Sequence, residues 1–245
     1  MDTFFLGEMM KLYDIIFWDV DQTLLDFTKS EDYALRYAFG QFGKKIDGQI
    51  VDLYSAINDS YWKRLEREEI TKEEVLRGRF ETLFERLSIS DISISEFASI
   101  FQNALGSVYY YKDDSFLLCN ELKKDFHQYI VTNGVTWTQL NKLKLAGFDR
   151  IMDGIFISEK IGSPKPAREF FDRCFLQIPD FQKEKTIIIG DSLTSDMQGG
   201  NNAGIACCWY NPGAKVLTEK EKQLRIDYEI RNLWEIKDVL YGKSS

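Results

Sequence analysis

Hydrophobic positions along this chain follow two rhythms. Short β-branched and aromatic runs recur at Tyr13–Val20 (YDIIFWDV), Gln128–Thr132 (QYIVT), Gly154–Ile157, Thr186–Ile189 (TIII), Ile205–Tyr210 and Tyr228–Ile230. Several are nearly continuous in apolar side chains, the pattern of strands buried on both faces. Between the later runs the spacing turns helical. Val135–Ala146 reads as a helix stopped by Gly147, Pro166 stands at the first turn of another, and a last helix lies near Asn232–Leu240. Strands separated by helices imply right-handed crossovers and a parallel sheet, an α/β fold.

One stretch breaks the alternation. From about Phe27 to Lys112 the pattern is helical throughout, with Val75, Leu76, Phe80, Leu83, Phe84 and Leu87 on one helical face. Thr71 with Glu74, and Ser93 with Glu96, have the spacing of capping boxes and mark two helix starts. Amphipathic stretches near 30–42 and 47–68 bring the expectation to about four helices and no strand. Residues 27–112 therefore read as an all-helical insert, and residues 1–26 and 113–245 as the α/β unit that carries it. No internal repeat or low-complexity segment appears.

Composition narrows the function. The chain has 245 residues, 44% of them hydrophobic and 29% charged, which suits a folded protein with a full core. With 31 basic against 39 acidic residues the net charge is −8, and no basic stripe offsets it, which argues against nucleic-acid or anionic-membrane partners. No run approaches the roughly 20 apolar residues of a membrane span. The opening MDTFFLGEMM is acidic where a signal peptide is basic and reads as a ragged extension, so that translation from Met1, Met9 or Met10 would serve equally. Cys119, Cys174, Cys207 and Cys208 fit neither a zinc spacing nor a disulfide framework, and a reducing cytoplasm is the simplest setting. Cys207 and Cys208, in an apolar run, read as small buried hydrophobes. The single histidine, His127, rules out a histidine triad or a zinc hydrolase and is expected to cap the helix ahead of the second strand. There is neither a P-loop nor a GxGxxG. Asp153 and Glu159 read as solvated loop charges.

The polar residues of interest cluster at the C-terminal tips of the strands, which in an open parallel sheet face one crevice. Asp19-Val20-Asp21-Gln22-Thr23 follows the first strand and Thr132-Asn133-Gly134 the second. Lys165 follows the third, and Gly190-Asp191-Ser192, with Asp196 beyond, follows the fourth. Each piece alone has a plain reading as turn chemistry, a loop charge or a helix cap. Their occurrence in order, each at a different strand end, points to phosphoryl transfer. Asp19, Asp191 and a backbone carbonyl are hard oxygen donors that suit Mg²⁺. Lys165 would offset the repulsion between an anionic nucleophile and a phosphate. Thr132 and the backbone N–H groups around Gln22–Thr23 and Asn133–Gly134 would hold its oxygens. Asp21 would donate a proton to the leaving group and later deprotonate water, which asks for a raised proton affinity there.

These residues resemble the haloacid dehalogenase (HAD) superfamily, whose four motifs match Asp19-x-Asp21-x-Thr23, Thr132, Lys165 and Asp191…Asp196 over nearly the whole chain. The resemblance implies a Rossmann-like three-layer core with a parallel sheet and an inserted four-helix cap. It implies Asp19 as nucleophile, Asp21 as acid/base and Lys165 as a further catalytic group. Thr23, Thr132, Asn133, Gly134 and Lys165 become phosphate ligands. Asp19, Asp21, Asp191 and Asp196 become the metal set, Asp196 as a weak or indirect member. Dehalogenases and ATPase pumps that resemble this chain lack an acid/base carboxylate at the Asp21 position. More narrowly the chain looks like bacterial pyrimidine 5′-nucleotidases that clear non-canonical nucleotides. Gly78-Arg79-Phe80-Glu81, Ile157-Ser158-Glu159 and Asn202-Ala203-Gly204-Ile205-Ala206-Cys207-Cys208-Trp209 carry that similarity. Ser163-Pro164 precedes Lys165, where such enzymes often have small residues.

The expectation is a Mg²⁺-dependent phosphomonoesterase working through an aspartyl-phosphate on a small phosphorylated metabolite, a nucleoside monophosphate first, as a monomer or weak homodimer. A sugar-phosphate or phosphoglycolate-type phosphatase or a phosphomutase is the alternative on the same core, and a silent binding or regulatory protein the alternative of another class. The insert's Tyr33, Tyr37, Phe39, Tyr54, Tyr61, Trp62, Arg77 and Arg79 are expected to be mostly its own core, with a few facing the crevice.

Overall fold

The computed structural model describes residues 11–242, so the N-terminal extension lies outside the described residues. The elements run β1 (Ile15–Trp18), α1 (Phe27–Gln41), α2 (Gly48–Glu66), α3 (Lys72–Leu87), α4 (Ile94–Leu105), α5 (Ser115–Leu122), β2 (His127–Thr132) and α6 (Thr136–Leu145). They continue β3 (Gly154–Ile157), α7 (Ser158–Ile161), α8 (Arg168–Phe175), β4 (Thr186–Gly190), α9 (Gln198–Ala203), β5 (Ala206–Tyr210), β6 (Tyr228–Ile230) and α10 (Ile236–Leu240).

The six strands form one parallel sheet in the order β3-β2-β1-β4-β5-β6. Its strands read as apolar runs because both faces are covered. Ile16 and Trp18 of β1 and Ile187 and Ile189 of β4 join one core, while Ile15, Phe17 and Ile188 join another on the opposite face. Helices close both sides, giving three layers. Each fully buried Ile, Leu or Phe contributes about 1.5–3 kcal/mol. Cys207 and Cys208 point to opposite faces, both fully buried.

Between β1 and α5 lie α1–α4 and no strand, with an aromatic core of their own. Tyr54 stacks on Phe80 at 5.4 Å, and Phe39 meets Phe97 edge-on at 4.8 Å. The Thr71–Glu74 capping box is complete; at Ser93 the hydroxyl accepts from the Glu96 N–H. The insert leaves and re-enters the α/β unit along one paired ribbon. Asp26 N donates to Tyr110 O at 2.8 Å, Lys112 N to Leu24 O at 3.1 Å, and Leu25 bridges antiparallel to Tyr111.

Some expectations are corrected. Pro166 lies ahead of its helix, after a cis Lys165–Pro166 bond, and α8 begins at Arg168. His127 opens β2 as an exposed residue with Nδ1 3.7 Å from Asp153, and caps nothing. Glu159 is no idle loop charge, since it pairs with Lys72 at 3.0 Å. Asp153 accepts from the Gln128 N–H at 2.7 Å. The helix α5 carries no side-chain cap, which leaves it without a start signal.

Candidate active site

The chain runs from β1 to β2 and β3 on one side of the sheet, then crosses to β4 on the other. The crevice opens where that order reverses, beside β1 and β4. Trp18 pairs in register with Ile130 and Ile189, so the residues that follow emerge side by side. Asp19 is anchored there by its N–H, which donates to Ile189 O at 3.0 Å.

Lys165 is the hub. Its Nζ donates to Asp19 Oδ1 at 2.7 Å, to Asp196 Oδ1 at 2.6 Å and to Val131 O at 3.0 Å, and the side chain is 1% exposed. Asp19, Asp191 and Asp196 each bring a carboxylate oxygen within 4.8 Å of the others. Three carboxylates against one ammonium leave a surplus of buried negative charge. Burial pushes the Asp19 carboxyl up to about 7; Asp196 and Asp21 add to this and Lys165 opposes it. Asp191 is pushed well above the usual carboxylate range by burial, with Asp19 and Asp196 adding to it. Burial works against the charge of Lys165, yet Asp19 and Asp196 outweigh it and hold its pKa above the ordinary value. Such a cluster fits a hard divalent cation, whose oxygen preference matches the donors and whose charge removes the surplus.

Other motif residues act as struts. Thr23 Oγ1 donates to Asp191 Oδ1 at 3.2 Å and accepts from Asp191 N at 3.1 Å, so this hydroxyl faces Asp191 rather than a phosphate. Asn133 Nδ2 donates to Lys165 O at 2.8 Å, while its Oδ1 accepts from Lys165 N at 2.9 Å; the amide locks the lysine loop to the end of β2. Thr132 lines the cavity, and its Oγ1 accepts from Gly134 N at 3.1 Å. A Cβ on Gly134 would lie 1.9 Å from Gln139 Nε2, and one on Gly190 would lie 2.2 Å from Asp196 Oδ2, so a side chain at either position would displace the residue it meets. Both oxygens of Asp196 are engaged, the second by Ser192 N at 3.1 Å. Trp209 Nε1 donates to Asp191 O at 2.9 Å.

Asp21 turns away from the carboxylate group. Its Oδ1 accepts from Lys142 Nζ, and its Oδ2 from Gln139 Nε2 at 2.6 Å. Lys142 and Gln139 sit three residues apart on α6, both almost fully buried. Nothing in the sequence marked them, because a Gln and a Lys on an amphipathic helix read as its wet face; with Thr138 their spacing defines the buried stripe.

The insert lies over the crevice. A cavity of about 440 Å³ is lined from below by Asp19, Thr132 and Lys165, and from above by Glu31, Trp62 and Arg79. Polar contacts hold the units together, among them the Lys72–Glu159 pair and a bond from Thr138 Oγ1 to Gln102 Oε1 at 2.9 Å. Lys72 Nζ donates to Asn133 O at 2.6 Å and Gly134 O at 2.8 Å, and Thr194 Oγ1 donates to Glu66 Oε2 at 2.5 Å. Of the insert's aromatics and arginines, Phe39 and Tyr54 are core, and Tyr33 and Tyr37 are exposed and stacked on each other at 6.0 Å. Arg77 pairs outside with Glu81 at 2.6 Å, and Tyr61 bonds Thr82 at 2.9 Å. Only Trp62 and Arg79 of that set reach the cavity.

Among the described residues no helix is long and apolar enough to cross a membrane. YfnB of Bacillus subtilis is 36% identical over 94% of this chain and 97% of its own length. Its crystal structure, bound to magnesium and revealing interdomain movement, superposes with a TM-score of 0.88 at 35% identity, covering 94% of this chain and 99% of that one. The pyrimidine 5′-nucleotidase PynA of Streptococcus pneumoniae is 36% identical over 93% of this chain and 95% of its own. The pyrimidine 5′-nucleotidase YjjG of Escherichia coli is 28% identical over 93% and 98%. The model of the haloacid dehalogenase-like hydrolases matches residues 15–210. With strand tips, carboxylates and relatives in agreement, the chain belongs to the haloacid dehalogenase-like hydrolase family.

Proposed function

We propose that this protein is a magnesium-dependent phosphomonoesterase that takes pyrimidine nucleoside 5′-monophosphates through an aspartyl-phosphate on Asp19. The observation that carries the reading is the buried Lys165 ammonium set between Asp19 and Asp196, with Asp191 alongside, under a helical insert that closes a cavity large enough for a nucleotide. The names of PynA and YjjG support the nucleotide class.

In this reading Oδ2 of Asp19 attacks phosphorus while Oδ1 stays on Lys165. The bond to the nucleoside oxygen breaks, and Asp21, having taken a proton from solvent on the oxygen that Gln139 releases, passes it to that leaving oxygen. Water then attacks the aspartyl-phosphate, gives its proton to Asp21, and frees Asp19 with inorganic phosphate. Both Asp21 oxygens are occupied, so proton transfer requires release from a partner; the neutral Gln139 bond is the weaker one to exchange. Asp19 and Asp191 would hold magnesium, which would supply charge neutralisation of the phosphate. Thr132 and the main-chain N–H of Asn133 hold phosphate oxygens, while the Gly134 N–H supports the Thr132 hydroxyl; Thr23 and the Asn133 side chain serve by fixing Asp191 and Lys165. Residues 27–112 act as the cap that reads the leaving group.

The test is kcat/KM across a panel of phosphomonoesters with magnesium, with product analysis. Uridine and cytidine monophosphates should lead, with free phosphate as product. A panel led by hexose phosphates or phosphoglycolate removes the nucleotidase reading, and a phosphorylated sugar without free phosphate marks a mutase.

A further inference from the structure

A buried polar cluster in the insert has no part in the chemistry above. Asn58 is its centre: Oδ1 accepts from Arg79 Nη1 at 2.7 Å and from Trp62 Nε1 at 3.1 Å, and Nδ2 donates to Glu31 Oε1 at 2.9 Å. Ser55 Oγ donates to Glu31 Oε2. Glu31 is 2% exposed and Arg79 1%, yet both line the cavity that holds Asp19.

The cluster is not self-sufficient. Asn58 has spent its acceptor on two donors, and it stands between Glu31 and Arg79, which make no direct ion pair. Arg79 Nε and Nη2 have no hydrogen-bond partner, although the guanidinium lies 4.9 Å from the Phe80 ring centre and 5.3 Å from that of Phe101. Buried guanidinium donors are costly to leave unfilled, and the Glu31 carboxylate keeps spare lone pairs. The result is a guanidinium and a carboxylate tied to one amide, on two residues that line the same cavity as the carboxylates; the free guanidinium nitrogens are themselves buried, so a base meets them by displacing the packing in front of them. Phe27 and Trp62 line the same space.

That pairing is complementary to the edge of a pyrimidine. In uracil or thymine a ring N–H stands beside a carbonyl; in cytosine an exocyclic N–H stands beside a ring nitrogen acceptor. A sugar phosphate has no such planar donor–acceptor edge. Bases that enter enzyme pockets are read this way, by hydrogen bonds to the pairing edge with stacking on aromatic faces. We propose that Glu31 and Arg79 are the base-reading residues of this enzyme, Glu31 accepting the base N–H and Arg79 donating to the neighbouring acceptor. Asn58 and Ser55 position the pair. The inference rests on the nucleotidase reading and names the residues that would give it its specificity.

The experiment compares uridine monophosphate, ribose 5-phosphate and p-nitrophenyl phosphate on the full chain with magnesium, for wild type, Glu31→Gln and Arg79→Lys. Competitive inhibition by uridine is measured alongside. Losing one hydrogen bond to a charged group should lower kcat/KM for uridine monophosphate about 10- to 100-fold, mostly through KM. Uridine inhibition should weaken in parallel, while the two esters without a base should change less than about threefold. If the variants keep the wild-type preference, or lower all three substrates equally, the base-reading role is overturned while the nucleotidase reading stands. If wild type cleaves ribose 5-phosphate as well as uridine monophosphate, the nucleotidase reading falls and this role with it. Should Arg79→Lys not fold, the isosteric Glu31→Gln decides the matter alone.

Discussion

The Lys165 ammonium lies 2.7 Å from Oδ1 of Asp19, both side chains buried, so one oxygen of that carboxylate is held and the attack proposed above falls to the other. An asparagine at position 19 can keep the first contact but cannot attack phosphorus. Asp19→Asn should therefore lower kcat by about 10³-fold or more, with a far-ultraviolet spectrum like that of wild type. Its metal-free melting temperature at pH 8 should equal or exceed that of wild type, because an amide does not bear the burial cost of the charge. Substantial turnover by a folded variant would end the nucleophile assignment.

Metal removal is the second test. Asp19 and Asp191 offer only oxygen, so EDTA should abolish activity and magnesium restore it. Calcium should not, because its longer and more numerous contacts would draw Asp19 off the line of attack. Magnesium at 100 times its Kd should also stabilise the fold by about 2.7 kcal/mol, readable as a rise in Tm. Full activity in calcium alone would contradict the assignment.

Lys142 offers a third. The ammonium is buried and bonded to Asp21, whose side chain is 29% exposed. Lys142→Met strands that carboxylate, and partial exposure keeps the loss of stability to about 1–3 kcal/mol. In a double-mutant cycle Asp21→Asn should recover much of it. Kinetically, Lys142→Met should lower kcat for esters with and without a base alike. A selective effect on nucleotides would show that Lys142 contacts the leaving group instead.

A pH dependence follows from Glu31. Burial raises its carboxyl from 4.5 to about 7, against the hydrogen bonds from Ser55 and Asn58 and the charge of Arg79. The folded state thus holds this proton more tightly than the unfolded chain does. Stability from this group is full below about pH 4.5 and is lost as pH rises to about 7, by at most about 3 kcal/mol. Metal-free Glu31→Gln lacks the titration, so its stability relative to wild type should climb across that window and level off above it. Urea unfolding at pH 5 and pH 8 measures the difference; a gap independent of pH would refute it.

The sequence announced the sheet because its strands are short apolar runs, β-branched at the centre of the sheet and aromatic or cysteine-rich in β5, followed by polar residues, a pattern with few alternative readings. Asp19, Thr132 and Asp191 could be placed at its tips for that reason. What it withheld depends on three-dimensional neighbours. Lys142 and Gln139 look solvated in one dimension, and only packing against the β1 loop turns them toward Asp21. Thr23 and Asn133 carry groups that could serve a phosphate equally well, and their use as struts is decided by Asp191 and Lys165 lying within reach. The start of α8 is hidden because Pro166 is a good first-turn residue that here belongs to the preceding loop.

The paired ribbon at Leu24–Asp26 and Tyr110–Lys112 has a consequence for how such an enzyme can change. To the α/β unit the whole insert is one excursion whose two ends meet. The entropy of closing such an excursion grows only with the logarithm of its length, so doubling it would cost about 0.6 kcal/mol. The length of the lid is thus nearly free for the core to carry. Selection can lengthen, shorten or exchange it without touching the residues that break the phosphate ester, and a new diet needs no new chemistry.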